Sequence, residues 1–304
     1  MNYQKIIEAV FNPNPHFPCT NIYQGATSRV YKLDTRNPLI VKIVSVGSSD
    51  YYEFQAKLLE RIAGPDNLTP RVLHWEMREI DNQTCCIQVQ TYLSGAPLDH
   101  YPNPDESKAI INAVYTLHQR LCAVSINSFP DEISTIDKIF RNLLWKADDG
   151  PIKEAGVNLI KNKRYNALVA KEMQYLTHFD LWSKNLLLDH AAGHVDVQIV
   201  DFDALVLAPK MVQPAVFFSS CFLFSSLLFD SNLSHSFDLD EVTECWPEST
   251  NKQDMLLMMQ LYPVVIGLIK EEQFARNPHS ASEPIQGIRD LLMNCLQTIW
   301  QMHG

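Results

Sequence analysis

A chain of 304 residues is long enough for two domains, or for one two-lobed domain, around a large hydrophobic core. Its 46% hydrophobic and 20% charged residues are typical of a folded globular protein, and a net charge of −10 without any basic run argues against nucleic acid as a partner. Seven cysteines, an odd number without a Cys-x-x-Cys pair, disfavour a zinc site and indicate reduced thiols.

The N-terminal sequence MNYQKIIEAVFNPNPHF lacks the continuous apolar segment of a signal peptide, so we expect a cytoplasmic protein. Two apolar stretches follow later, at residues 214–230 and 254–270. The first contains four serines, and Pro263 and Gly267 interrupt the second. Both are shorter than the roughly 20 apolar residues that cross a bilayer. We therefore predict two buried helices and no membrane association.

The first third of the chain predicts a small sheet with one inserted helix. The helix begins after Asp50, a suitable N-cap, continues through YYEFQAKLLERIA and ends at Gly64-Pro65. The strands are β-rich segments bounded by Gly, Asn, Asp or Pro. They are predicted at residues 20–25, 28–34, 38–44, 71–79 and 85–93.

From residue 106 onward the hydrophobic pattern changes to the helical period. In residues 106–124, Ile110, Val114, Leu117 and Leu121 fall on one face. Helices dominate the remainder, apart from one hairpin. The Ser94-Gly95-Ala96-Pro97 stretch is the best candidate for a hinge, so we predict two parts, residues 1–93 and 94–304.

The hairpin predicted at residues 186–200 gathers polar side chains at one end. Its strands flank DHAAG, a connection of polar and small residues. A hairpin places Asn185, before the first strand, close to Asp201, after the second. Asp180 precedes Asn185 by a loop short enough to bring its carboxylate near both. Such oxygen ligands suit Mg²⁺, but Asp and Asn also cap turns, and the residues alone leave both interpretations open.

The motif in this region resembles that of a known enzyme superfamily. HFDLWSKN is His-x-Asp-x-x-x-x-Asn, with His178, Asp180 and Asn185, and DFD follows with Asp201 and Asp203. Together they resemble the catalytic loop and metal-binding motif of the aminoglycoside phosphotransferase and choline kinase-like superfamily. The DLWSKN variant is also similar to the loop of fructosamine kinases. The resemblance covers roughly residues 20–205, with its elements in the family's order.

This resemblance implies a protein kinase-like fold of class α+β. Its N-lobe, residues 1–93, would be a small antiparallel sheet with one helix that binds nucleotide. Residues 94–304 would form a larger, mainly helical C-lobe with the catalytic loop, metal site and acceptor pocket. ATP and Mg²⁺ are the implied cofactors. Asp180 would accept or orient the substrate hydroxyl, Asn185 and Asp201 would hold Mg²⁺, and Asp203 would assist the metal or orient the loop.

One feature departs from the resembled family. Its members commonly follow the metal-binding aspartates with a Gly-Asp-Pro segment that leads to another Asp. This chain has DFDALVLAPKMVQPAVFF there. The helix that supports the site is therefore expected to be anchored differently.

Lys42 lies in the predicted strand LIVKIV on a face shared with apolar neighbours, so we expect it to point inward toward an anion. In the resembled family, a lysine here contacts the α and β phosphates of ATP and pairs with a glutamate of the next helix. Glu53 is the natural match and Glu60 the alternate partner. Asp50-x-x-Glu53 also fits a capping box, which explains Glu53 without a nucleotide.

Two further nucleotide contacts are implied. Gly25 to Ser28 form a turn between strands whose backbone N–H groups could bind phosphate, although a plain hairpin turn fits equally well. Residues Thr91 to Leu93 resemble the connection whose backbone meets the adenine. His178 is expected to be structural, because Asp180 is the better-placed base.

The acceptor is less well defined. Trp182 either lines its pocket or packs against the core. An acidic cluster at residues 238–248 suggests a cationic alcohol or amino sugar, and Trp246 within it could offer a cation–π face. A solvated acidic loop explains the same residues. The expected partners are ATP and a small-molecule acceptor, with no nucleic acid, membrane or protein partner implied.

Two other functions are considered. A nucleotide-binding, pseudokinase-like regulator without transfer activity would predict loss of Lys42, Asp180, Asn185 or Asp201, and none is lost. A protein kinase is disfavoured because the chain has no Gly-x-Gly-x-x-Gly loop, no His-Arg-Asp and no Asp-Phe-Gly.

Overall fold

The computed structural model describes most of the chain. The described residues are 3–12, 18–24, 28–45, 49–99, 102–124, 130, 133–171, 174–190, 194–224, 246, 251–276 and 285–302. The chain divides into two compact units, residues 1–95 with 198–200 and residues 96–197 with 201–304. The division after Gly95 falls within the predicted hinge. Residues 198–200 join the first unit, where the Ile199 N–H donates to the Leu68 carbonyl oxygen at 2.7 Å.

The first unit is built on a five-stranded sheet in the order β1-β2-β3-β5-β4, in which all neighbours are antiparallel. The strands are β1 Cys19–Gln24, β2 Ser28–Leu33, β3 Leu39–Ser45, β4 Val72–Ile80 and β5 Gln83–Thr91. Asp81 and Asn82, at φ of 52° and 61°, form the two-residue turn between β4 and β5, a backbone conformation that Asp and Asn tolerate well. The five predicted strands are confirmed to within two residues at each end.

The first unit contains two helices where the sequence predicts one. The additional helix, α1 (Tyr3–Phe11), buries Ile6 and Ile7 against Leu33, Val41 and Val89 of the sheet. The predicted helix is α2 (Ser49–Ile62), which ends before Gly64-Pro65 as expected. Because α2 begins at Ser49, Asp50 lies in its first turn and not at the predicted N-cap position.

The second unit is mainly helical, which confirms the predicted α+β class. Its helices up to the loop at residues 179–185 are α3 Pro104–Cys122, α4 Ile136–Lys146, α5 Pro151–Lys161 and α6 Lys163–Lys171. After the loop come α7 Val212–Phe217, a π-helical turn Phe218–Phe224, α8 Lys252–Met259, α9 Leu261–Arg276 and α10 Ile285–Met302. In α3 the predicted apolar face is buried, with Ile110, Val114, Leu117 and Leu121 all at 0% exposure.

Short strands in the second unit frame the loop of interest. They are β6 Ala96–Pro97, β7 Tyr175–His178, β8 Leu186–Asp189, β9 Asp196–Ile199 and β10 Leu205–Ala208. The adjacent β8 and β9 confirm the predicted hairpin, and β6 pairs with the other edge of β8. The antiparallel pair of β7 and β10 is not predicted from the sequence.

Helices α5 and α9 approach each other closely at two glycines. A Cβ atom at Gly156 of α5 would lie 2.5 Å from Leu144 Cδ2 and 3.1 Å from Val264 Cγ1 of α9. A Cβ atom at Gly267 of α9 would lie 2.9 Å from Ile152 Cγ2 of α5. Each helix thus contributes a glycine that receives a side chain of the other.

The two apolar stretches form helices. Residues 214–224 lie in α7 and the π-helical turn, and residues 254–270 lie in α8 and α9, whereas 225–230 are outside the described residues. Pro263 is the third residue of α9, in the first turn, where no intrahelical N–H bond is lost. Within the described ranges, no helix is both long and apolar enough to span a bilayer.

Candidate active site

The pairing of β7 with β10 brings the two motif segments together. His178, the last residue of β7, stands opposite Leu205, the first of β10. The Phe179 N–H donates to the Ala204 carbonyl oxygen at 2.8 Å, which extends the pairing by one residue. The loop after β7 and the residues before β10 therefore leave the sheet at the same end. The HFDLWSKN and DFD segments meet there.

Asp180 and Asn185 are joined directly. The Asn185 amide nitrogen Nδ2 donates to the Asp180 carbonyl oxygen at 2.8 Å and to its carboxylate Oδ2 at 3.2 Å. A 3₁₀ turn over Ser183–Asn185 presents this amide, and the Asn185 N–H donates to the Trp182 carbonyl at 2.9 Å. Both side-chain hydrogen bonds use the nitrogen, so the oxygen Oδ1 is the atom that can ligate a cation.

The pKa of the Asp180 carboxyl is shifted toward neutral pH. Burial, followed by the negative charge of Asp201, raises its pKa from 3.8 to about 6. Asp203 adds a smaller increase in the pKa, whereas the hydrogen bond from Asn185 and the positive charge of Lys270 lower it. A carboxylate with a pKa in this range is suited to act as a general base near pH 7.

The segment around Asp201 has the donor chemistry of a magnesium site. Asp201 has a φ of 61°, a left-handed backbone that is uncommon outside glycine, and its side chain is exposed. Phe202 is buried and anchors the turn, with its ring 4.7 Å from the His178 ring. Asp201 and Asp203 with Asn185 Oδ1 offer the oxygen ligands that Mg²⁺ prefers, alongside water and phosphate. Among described residues, no three His, Cys, Asp or Glu side chains form a metal-binding group by themselves.

His178 has a structural environment. Its side chain is fully buried, and its ring nitrogen Nδ1 accepts a hydrogen bond from the Asp180 N–H at 3.3 Å. Acceptance at Nδ1 requires a ring whose proton, when neutral, is on Nε2. This geometry matches the expectation that His178 organises the loop.

Three groups near Asp180 were not found from the sequence. Gln213 and Ser220 hydrogen-bond to the loop backbone. Tyr262 of α9 is buried, with its ring 6.0 Å from Phe179, and burial together with the Asp180 charge raises the pKa of its hydroxyl well above 10. No sequence signal links these residues to the motif, because they lie 33 to 82 positions after Asp180.

Lys42 of the first unit lies on β3, is 9% exposed, and stands opposite Gln88 of β5. The predicted inward orientation is therefore present. Glu53 forms an ion pair with Lys57 at 2.5 Å, and Glu60 is exposed. Gln55 of α2 is buried, and its side-chain oxygen accepts from Gln88 Nε2 of the sheet at 3.0 Å. The pairing of Lys42 with Glu53 or Glu60 remains a prediction that this geometry does not favour.

The remaining nucleotide-binding candidates are Gly25, Ser28, Thr91 and Leu93. Gly25 lies outside the described residues, and Ser28 begins β2 opposite Val44. Thr91 ends β5, where its N–H donates to the Arg71 carbonyl oxygen and its Oγ1 accepts from the Arg71 N–H, both at 2.9 Å. Leu93 follows and is buried. The Thr91 N–H is therefore already used within the sheet.

The two tryptophans considered for the acceptor differ. Trp182 is half-buried in the loop, and the Lys184 ammonium lies 5.0 Å from its ring centre. Trp246 is fully buried, with its ring 5.5 Å from Tyr115 and 5.8 Å from His118. The expectation that Trp246 offers a cation–π face to a ligand is wrong, because packing in the core covers the ring. The acidic residues around it are outside the described residues.

Comparison with known proteins gives a family match. The model of the phosphotransferase enzyme family, APH, matches residues 19–212. A solved GDP complex of aminoglycoside 2'-phosphotransferase-IIIa aligns with a TM-score of 0.68 at 12% identity over 97% of this chain and 98% of its own. A thermostable mutant of APH(4)-Ia with AMP-PNP and hygromycin B aligns with a TM-score of 0.63 at 14% identity over 99% and 98%. At these identities the likeness shows a common fold. No curated protein matches the chain.

Proposed function

This chain belongs to the phosphotransferase enzyme family, and from that membership we propose that it transfers the γ-phosphoryl group of ATP to a hydroxyl group of a small molecule, with Mg²⁺. The proposal goes beyond the family in naming the nucleotide, the metal and the acceptor group. The AMP-PNP and GDP bound to the two solved structures support a nucleotide as phosphoryl donor.

The observation that carries the proposal is the double hydrogen bond from Asn185 to Asp180. It joins the proposed base and a proposed metal ligand in one fixed geometry. Phosphoryl transfer depends mainly on such positioning and on charge neutralisation, since the protein contributes little covalent chemistry. A carboxylate with a pKa of about 6, beside two further carboxylates, fits both requirements.

Each residue then has a defined role. Asp180 accepts the proton of the acceptor hydroxyl, or orients that hydroxyl for in-line attack. Asn185 Oδ1, Asp201 and Asp203 are the oxygen atoms that would hold Mg²⁺, which when bound neutralises charge on the ATP phosphates. Lys42, buried in the first unit, is proposed to contact the α and β phosphates. His178 keeps the Asp180 backbone in place through its ring.

We propose a cationic amino sugar or amino alcohol as the acceptor. The chain has a net charge of −10, and three carboxylates surround the reaction site. Such a field attracts a cationic substrate. With Trp246 buried, this proposal rests on charge and not on an aromatic face.

The test is ATP consumption with Mg²⁺ against a panel of cationic and neutral alcohols. Wild type is compared with Asp180→Asn, which keeps an oxygen to accept the Asn185 hydrogen bond. We expect turnover with one acceptor class, reduced about 10²- to 10⁴-fold in the variant because the general base is lost.

Calorimetry with Mg-ATP separates the alternatives. Binding of Mg-ATP without turnover across the panel would favour a nucleotide-binding regulator. Neither binding nor turnover would contradict the proposed kinase. Full activity of Asp180→Asn would show that Asp180 is not the base.

A further inference from the structure

One helical segment, residues 212–224, is buried over residues 212–221 and holds the loop on both sides of Asp180. We propose that Gln213 and Ser220 of this segment are positioning residues for Asp180, and that their hydrogen bonds to the loop backbone set the rate of phosphoryl transfer. This inference rests on the function proposed above. Neither residue touches the reacting atoms, so both act through the backbone.

Gln213 completes the open edge of β7. Because Phe179 hydrogen-bonds to Ala204, the backbone groups of His178, one residue earlier, point away from β10. Gln213 Oε1 accepts from the His178 N–H at 2.9 Å, and Gln213 Nε2 donates to the His178 carbonyl oxygen at 3.0 Å. A primary amide carries both a donor and an acceptor, so one side chain satisfies both groups as a neighbouring strand would.

The contact reaches Asp180 through one further bond. The His178 backbone that Gln213 holds carries the ring whose Nδ1 accepts from the Asp180 N–H. Loss of the Gln213 amide would remove a hydrogen bond from each of two buried backbone groups of His178. The His178 ring would then be less firmly positioned, and so would the Asp180 peptide that donates to it.

Ser220 holds the other side of the loop. Its hydroxyl donates to the Leu181 carbonyl oxygen at 2.8 Å, and it also lies 3.2 Å from the Phe217 carbonyl oxygen of its own helical segment. Leu181 directly follows Asp180 in the chain and is fully buried. The two anchors, at residues 178 and 181, thus bracket the carboxylate that the reaction needs.

The anchor at residue 213 suits a neutral side chain. Asp180 already lies near the charges of Asp201 and Asp203, which raise its pKa. A carboxylate at residue 213 could accept from the His178 N–H but could not donate to its carbonyl oxygen. It would also add a further buried negative charge close to the base.

The experiment uses the full chain with three test variants and two matched controls. Gln213→Leu removes both hydrogen bonds, Gln213→Glu keeps only the acceptor, and Ser220→Ala removes the hydroxyl. Ser219→Ala is matched to Ser220→Ala, because Ser219 is equally buried but bonds only to Ala215 and Val216 in its own helix.

The second control, Tyr165→Phe, removes a buried hydrogen bond to Asp137 in helices away from the loop. For every variant, hydrogen–deuterium exchange of the peptide 176–186, the melting temperature and Mg-ATP hydrolysis are measured. Hydrolysis with water as acceptor is followed as phosphate release, so no acceptor needs to be known.

We expect faster exchange in peptide 176–186 for the three test variants and not for the controls. The kcat of Mg-ATP hydrolysis should fall about 10- to 100-fold in Gln213→Leu and about threefold to tenfold in Ser220→Ala, with the KM for ATP within about twofold of wild type. Controls of similar melting temperature should keep their kcat. If Gln213→Leu does not fold, Ser220→Ala against Ser219→Ala decides.

Unchanged exchange in the loop peptide would overturn the proposal, and so would faster exchange with unchanged kcat. A kcat that falls equally in the controls would also overturn it, because general destabilisation would then explain the loss. If wild type releases no phosphate with water as acceptor, the exchange data alone decide whether these two residues hold the loop, and the acceptor panel separately decides the proposed function.

Discussion

The Gln88 side-chain amide donates a hydrogen bond to the Gln55 side-chain oxygen at 3.0 Å, and this bond joins α2 to the sheet at the strand position opposite Lys42. Gln90 extends the contact, since its Nε2 donates to Gln88 Oε1 at 2.7 Å. The three amides are buried and oriented head to tail. A row of neutral amides thus lies beside Lys42.

The first prediction compares Gln55→Leu with Glu53→Gln. The leucine leaves the Gln88 donor without its buried acceptor, at a cost of about 1–3 kcal/mol in unfolding free energy, and loosens the wall beside Lys42. We expect a several-fold higher KM for ATP. Glu53→Gln breaks only a half-exposed ion pair with Lys57, worth at most about 1 kcal/mol, and should leave that KM unchanged. If Glu53→Gln raised the KM for ATP and Gln55→Leu did not, the result would support Glu53 as the partner of Lys42.

The second prediction concerns the stability of Asp180→Asn. The pKa of Asp180 is raised from 3.8 to about 6 in the folded chain. Its contribution to stability is therefore fully present below the unfolded pKa and is lost as the pH rises through 6. At pH 7.5 the ionised carboxyl costs on the order of 1–3 kcal/mol, which the asparagine avoids. Thermal unfolding in EDTA should show a higher melting temperature for Asp180→Asn at pH 7.5 and a smaller gain at pH 4.5. An equal gain at both pH values would rule out this cause.

The third prediction concerns the pH dependence of turnover. With Asp180 as the proposed base, kcat/KM at low concentrations of both substrates should rise with pH through about 6 and then level off. Lys270 lowers this pKa, so Lys270→Met should move the rise to higher pH by a few tenths of a unit. Lys163→Met is the charge-matched control. Lys163 is exposed on α6, and its replacement should not move the rise. A shift of the Lys270→Met profile to lower pH would contradict the assignment.

The fourth prediction separates charge from backbone at Asp201. Asparagine tolerates the left-handed φ of 61°, so Asp201→Asn should fold as well as wild type while losing the carboxylate that is proposed to bind Mg²⁺. We expect the Mg²⁺ concentration for half-maximal activity to rise at least about tenfold. Asp201→Val should also lower the melting temperature, because a β-branched residue is strained at this φ. Unchanged Mg²⁺ dependence in Asp201→Asn would exclude Asp201 as a ligand.

The sequence predicts those parts of the fold that depend on residues close together in the chain. The strands of the first unit are β-rich segments bounded by turn residues, so their limits are predicted within two residues. The loop motif is likewise local, because Asp180 and Asn185 are five residues apart. Helix α1 is different: it is short, and its burial comes from packing against the sheet.

The orientation of α2 was available from the sequence. At about 100° per residue, Glu53 and Glu60 lie on the face opposite Gln55, Leu59 and Ile62, which the structure buries. In contrast, the contact of Gln213 with His178 spans 35 positions and leaves no periodic signal. Burial of Trp246 also depends on partners distant in sequence, which composition alone does not identify.

Two glycines determine how closely α5 and α9 pack in the second unit. Gly156 and Gly267 each receive a side chain from the opposite helix, so the spacing of the two axes is fixed by the absence of two methyl groups. Helix α9 also carries Lys270, whose positive charge lowers the pKa of Asp180, and the buried Tyr262, whose own pKa the Asp180 charge raises. An alanine at Gly267 would displace either Ile152 or α9, and a shift of α9 would move the Lys270 charge that acts on Asp180. We therefore expect the pKa of Asp180 to depend in part on how closely α9 packs against α5.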